Sequence, residues 1–63
     1  MQEYKMYRHP DMGYCAMVST RYGWQQVSLW YTSPGRLSYY WGLKNSMALD
    51  KKTNRFVMMN KGC

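Results

Sequence analysis

Apolar and polar residues alternate through much of this chain, and turn-forming residues interrupt the alternation at intervals of about ten positions. A period of two marks a strand with one buried face. Over residues 2–8 it puts Tyr4 and Met6 on one side and Lys5 and Tyr7 on the other. His9-Pro10-Asp11-Met12-Gly13 then ends the strand, because Pro fixes φ and lacks a donor while Gly admits positive φ. Residues 14–21 resume the pattern, with Tyr14, Ala16, Val18 and Thr20 on one face and Cys15, Met17, Ser19 and Arg21 on the other. Tyr22-Gly23 reads as a tight turn. Residues 24–32 carry the clearest alternation: Val27, Leu29 and Tyr31 share one face, and Trp24, Gln26, Ser28 and Trp30 share the opposite one.

Beyond this point two readings compete. Ser33-Pro34-Gly35 has the residue order of a type II turn, and Leu37, Tyr39, Trp41 and Leu43 repeat the strand period after it. Ser33-Pro34 is equally an N-cap followed by a first helical residue, with Leu37, Tyr40, Trp41 and Met47-Ala48 as an apolar stripe on a helix over residues 34–48. Gly35 and Gly42 each weigh against the helix by roughly 1 kcal/mol relative to Ala, and Tyr39-Tyr40-Trp41 suits a strand. Strand is the preferred reading. Residues 46–50 and 55–59, flanking Lys51-Lys52-Thr53-Asn54, predict a terminal hairpin. The expected fold is all-β, or β-rich α+β if the helix forms. It is one small domain over residues 1–63, an antiparallel meander of four to five twisted strands with a closed small barrel as its limiting form.

Size makes the core marginal, since a chain this short buries only about 60% of its unfolded surface. Aromatic residues make up 17% of the chain, and they compensate, because each buried ring removes roughly 150–250 Å² from water. Seven Met residues supply further adaptable bulk. A homodimer is compatible with so small a core. No apolar run approaches the roughly 18 residues of a membrane span, and the first residues lack a signal-peptide core. A complete small reading frame, acting in the cytoplasm without membrane contact, is expected. Cys15 lies in an apolar stretch and reads as a small buried hydrophobe, whereas Cys63 is the last residue; a bridge between them would be incidental.

Catalytic chemistry finds little to use. Glu3, Asp11, Asp50 and His9 are the ordinary acid–base candidates, and they are scattered rather than paired. His9-Pro10-Asp11 reads foremost as a solvated turn. Two distant Cys and one His do not match zinc-ligand spacing, and no phosphate-binding glycine loop is present. The expectation is a non-enzymatic binding protein with no cofactor, no metal and no catalytic residues.

Charge changes that picture most. Nine Lys and Arg against three acidic residues give a net charge of +6, which draws the chain toward polyanions. If residues 14–21 and 24–32 pair, Arg21, Trp24, Gln26 and Trp30 share the face opposite the core, with Tyr40 joining if the next strand pairs in register. Two indoles, a phenol and a guanidinium on a half-polar sheet suit base stacking. Arg36, Lys44, Lys51, Lys52 and Arg55 would neutralise phosphates around it. Against this, a single Trp more often fills a core, and Lys51-Lys52 has the composition of an ordinary hairpin loop.

Nucleic acid is therefore the first expected partner. The second is an acidic protein surface, because Tyr, Trp, Met and Arg are also the residues of protein interfaces. In size and style alone, with no motif behind it, the chain resembles the small accessory proteins of bacteriophages and mobile elements that inhibit host polymerases, nucleases or defence systems.

Overall fold

The computed structural model describes residues 2–59 as one open antiparallel sheet with a helical segment across one face. Strand β1 (Tyr4–His9) and strand β2 (Gly13–Thr20) form a hairpin, and strand β3 (Gly23–Gln26) continues the meander. Helix α1 (Pro34–Leu37) runs directly into a π-helical turn, Ser38–Gly42. Strand β4 (Met47–Asp50) and strand β5 (Arg55–Met58) close the chain as the expected terminal hairpin. The sheet order is β3-β2-β1-β5-β4. No helix among the described residues is long and apolar enough to cross a membrane.

The β-rich antiparallel class is as the alternation implies, but neither the barrel nor the simple meander forms. Strands β3 and β4 lie at opposite edges of the sheet, so it stays open. The helical segment is responsible: it carries the chain from the β3 edge to the far side, where β5 pairs with β1 through Tyr4↔Phe56 and Lys5↔Arg55.

The strand reading is corrected for residues 34–44, which are helical, whereas Met47-Ala48 of the rival helical stripe belong to β4. Ser33 is extended (φ −148°, ψ 156°), and its Oγ accepts the Arg36 backbone N–H at 3.2 Å. Pro34 occupies the first turn, where its missing donor costs nothing. Ser33-Pro34-Gly35 is thus a helix start and not a type II turn. Leu37 and Trp41, four residues apart, fall on one helical face and are buried. Propensity loses here to packing, because that stripe covers the sheet. Gly42, which argued against a helix, is its closest approach to the sheet: a Cβ there would sit 2.9 Å from the Met47 carbonyl oxygen and 3.6 Å from the Phe56 ring. The helix stops where Asn45 donates its backbone N–H and its Nδ2 to the Trp41 carbonyl, and Ser46 turns to φ 56°.

Ala16, Leu37, Trp41, Met47 and Phe56 form the buried cluster, flanked by Tyr4, Met6, Tyr14, Tyr31 and Leu49. Trp41 is its hub, with ring centroids 4.9 Å from Phe56 and 5.8 Å from Tyr4. Tyr14, Ala16 and Val18 face this layer as their alternation predicts. Val27 and Leu29 do not: they are 41% and 77% exposed, against the expectation that they join the core. The reason is a break in the ladder after β3. Val27 N–H still reaches the Ala16 carbonyl, but the Ala16 N–H is taken by Ser28 Oγ at 2.8 Å. Pairing returns only at Tyr31, which exchanges two backbone hydrogen bonds with Tyr14. Two more residues lie between Val27 and Tyr31 than between Ala16 and Tyr14, so the segment loops away from β2, and Val27 and Leu29 border an outer recess with Tyr40, Trp41 and Lys44 instead of entering the core.

Candidate functional site: the open sheet face

Helix α1 and the π turn cover one side of the sheet, so the other side is the candidate surface. Register and pleat place Lys5, Tyr7 and His9 of β1, Met17 and Ser19 of β2, Trp24 and Gln26 of β3, and Arg55 and Val57 of β5 together there. Its two ends differ. At the β2–β3 turn end, Trp24 is 37% exposed and Lys5 Nζ stands 4.2 Å above its ring centroid, within cation–π range. At the β1–β2 turn end, Trp30 packs edge-on to His9 at 5.4 Å and against Tyr7 at 6.4 Å. Cys15, the cross-strand partner of Tyr7, is fully buried on this side, so the Tyr7–His9–Trp30 cluster makes a second small packed patch. Burial pushes the Cys15 thiol pKa up.

His9 also organises the turn that follows it. Its Nδ1 accepts the backbone N–H groups of Asp11 at 3.0 Å and Met12 at 3.1 Å. A ring nitrogen that accepts two donors is carrying a structural load, in keeping with the turn reading of His9-Pro10-Asp11. Gln26 stays on the open face, with its Nε2 donating to the Ser28 carbonyl at 2.6 Å. Arg55 is held by Glu3 at 2.6 Å, and both side chains are at least half exposed. Asp50 turns its Oδ1 to the Lys52 backbone N–H at 3.0 Å.

The ten residues singled out from sequence divide between three places. Trp24, Gln26, Trp30 and Arg55 share the open face, and Arg21 stands exposed at its rim in the β2–β3 turn. Arg36, Tyr40 and Lys44 lie on the helical layer, across the sheet from Trp24. Tyr40 does not join the indoles. Its ring stacks on Tyr31 with centroids 6.1 Å apart and planes 8° from parallel. Lys51 and Lys52 sit in the β4–β5 turn, at the opposite end of the sheet from Arg21. The cations therefore do not encircle the indoles. The helix separates them, and with residues 34–44 helical, no strand among the described residues pairs on the outer side of β3.

Lys5 and Tyr7 were missed. Their alternation was legible, but the pairing of β1 beside β2 on this face depended on the three-stranded register. Among the described residues, no group of three His, Cys, Asp or Glu side chains is gathered as metal ligands. No protein family, curated protein or solved structure matches this chain.

Proposed function

We propose that this protein binds single-stranded nucleic acid on the open sheet face, without enzymatic chemistry, in the cytoplasm of the cell that makes it. The observation that carries the reading is the Lys5–Trp24 pair, a cation resting on a partly exposed indole on the sheet face opposite the helical segment. A base stacks on the indole and displaces the ammonium, which then pairs with the adjoining phosphate. Tyr7 offers a second ring, 40% exposed, two pleats along β1. Arg21 supplies a further phosphate contact at the rim. A single strand suits the face better than a duplex, because stacking needs unpaired bases.

Two features set the strength. Glu3 neutralises Arg55, so the phosphate contacts come from Lys5 and Arg21. Two neutralised phosphates on a single strand give a log–log salt slope of about −1.4. Loss of one stacked base weakens binding by roughly 5–150-fold, corresponding to about 1–3 kcal/mol.

The test is fluorescence titration of the protein with labelled oligothymidylate and oligouridylate over a salt series, repeated for Trp24→Ala. The expected outcome is a negative slope and a loss in that range. A flat salt response, or a Trp24→Ala variant that binds as tightly as the parent, refutes the reading.

A further inference from the structure

On the covered side of the sheet, a groove of about 620 Å³ opens between the helical segment and the β4–β5 hairpin. Met6, Tyr39, Leu43, Met47 and Leu49 line it, and among the described residues Lys51 is the one charged residue at its wall. Tyr39 and Leu43 are 62% and 53% exposed, so the helix leaves apolar surface facing the groove that its own core does not use. Isolated exposed apolar residues are ordinary, but these lie on one side of one helix, beside a free strand edge.

That edge is β4. Among the described residues nothing pairs with its outer side. The Met59 N–H donates to the Ser46 carbonyl at 2.9 Å, which makes Ser46 and Met59 a hydrogen-bonded pair of the ladder. Antiparallel pairs alternate, so Ala48 and Asp50 turn their backbone groups toward β5, and Met47 and Leu49 turn theirs outward. The same alternation directs the Leu49 side chain to the groove side. A strand laid along β4 would hydrogen-bond to Leu49 and put every second side chain beside Tyr39 and Leu43.

We infer that the β4 edge and its adjoining groove accept an extended, acidic segment of a partner protein by strand addition. Charge selects the occupant. Lys51 lines the groove, Lys52 follows it in the exposed β4–β5 turn, and no acidic side chain among the described residues lines the wall. Asp50, the nearest carboxylate in sequence, points its Oδ1 into the β4–β5 turn. A second copy of the chain would bring another +6 to a cationic groove, which disfavours self-association. An anionic strand with alternating apolar residues satisfies the backbone edge, the apolar wall and the cations together. The surface is separate from the open face and independent of nucleic-acid binding.

The probe is a fluorescein-labelled seven-residue peptide alternating aspartate and leucine, titrated into the intact protein at low salt. Saturable binding is expected, with the Leu49 and Tyr39 amide resonances moving on titration. Leu43→Asp, at an exposed position that spares the core, should weaken it roughly tenfold, as should the double reversal Lys51→Glu with Lys52→Glu. Methylating the peptide's central backbone nitrogens should cost about fivefold for each hydrogen bond lost. Trp24→Ala should leave the affinity unchanged, and thermal melts of each variant verify folding. Absence of saturable binding overturns the inference. Equal binding of a lysine–leucine peptide overturns it too, as does indifference to backbone methylation. A concentration-dependent dimer that Leu43→Asp dissolves would make the occupant a second copy and overturn it as well.

Discussion

Replacing Gly13 by Ala and, separately, Gly23 by Ala separates two contributions that the fold combines at its turns. Both residues have positive φ, 108° and 111°, in a region that side chains with a Cβ rarely enter. Backbone strain of that kind costs about 1–3 kcal/mol, and it is common to both substitutions. Space is not. A Cβ on Gly23 meets nothing within 4 Å, whereas one on Gly13 runs into the backbone carbonyl oxygen of Tyr31.

That carbonyl accepts the Tyr14 N–H at 2.8 Å, and the Tyr31 N–H donates back to the Tyr14 carbonyl at 2.7 Å. Moving Tyr31 aside sacrifices both bonds, for a further loss of about 1–3 kcal/mol. A core of this size supplies roughly 3–5 kcal/mol in all. Gly23→Ala should therefore keep a cooperative melt, displaced downward by about 4–8 °C for each kcal/mol lost. Gly13→Ala should lose most or all of its transition.

Circular dichroism melts of the two variants beside the parent give the comparison, and Trp fluorescence adds a local readout. Trp30 precedes Tyr31 and packs on Tyr7 and His9, so a displaced Tyr31 should alter its emission in Gly13→Ala and not in Gly23→Ala. Equal melting temperatures for the two variants would refute the steric account of how the chain re-enters the β2 ladder.

Two further expectations follow from the core. Leu37 is fully buried beneath the helix, and truncation of such a residue costs about 2–5 kcal/mol; Leu37→Ala should abolish the cooperative melt, and a shift of only a few degrees would contradict the packing described. The Cys15 thiol has its pKa raised by burial, so the folded state holds that proton more tightly than the unfolded chain does. Its contribution to stability is intact below the ordinary thiol value near 8.5 and declines as pH rises through the raised value. Urea titrations across the alkaline range, with Cys15→Ala as reference, should show the parent losing stability faster; parallel curves would contradict this.

The sequence by itself was enough to identify the strand class, the β1–β2 turn, the terminal hairpin and the Tyr14–Ala16–Val18 core face, and it set the β2–β3 turn one residue late, at Tyr22-Gly23 where the chain turns on Arg21-Tyr22 and Gly23 already pairs with Thr20. Each depends on pleat alternation and on turn residues within a few positions, and local rules govern both. It also separated Lys5 and Tyr7 from Tyr4 and Met6 correctly, and it marked Trp24 as outward-facing. Three outcomes depended on tertiary structure. Residues 34–44 became helical because the Leu37–Trp41 stripe packs on the sheet and Gly42 admits close contact, so two glycines that cost helix propensity did not decide the matter. Val27 and Leu29 stayed exposed because Ser28 Oγ takes the Ala16 N–H and two extra residues loop out of the ladder before Tyr31, an event invisible to any fixed period. The cations Arg36 and Lys44 went to the far layer because the helix crosses the sheet there. Which residues share a surface is a property of long-range pairing: alternation assigns each strand two faces but does not say which face a distant segment will cover.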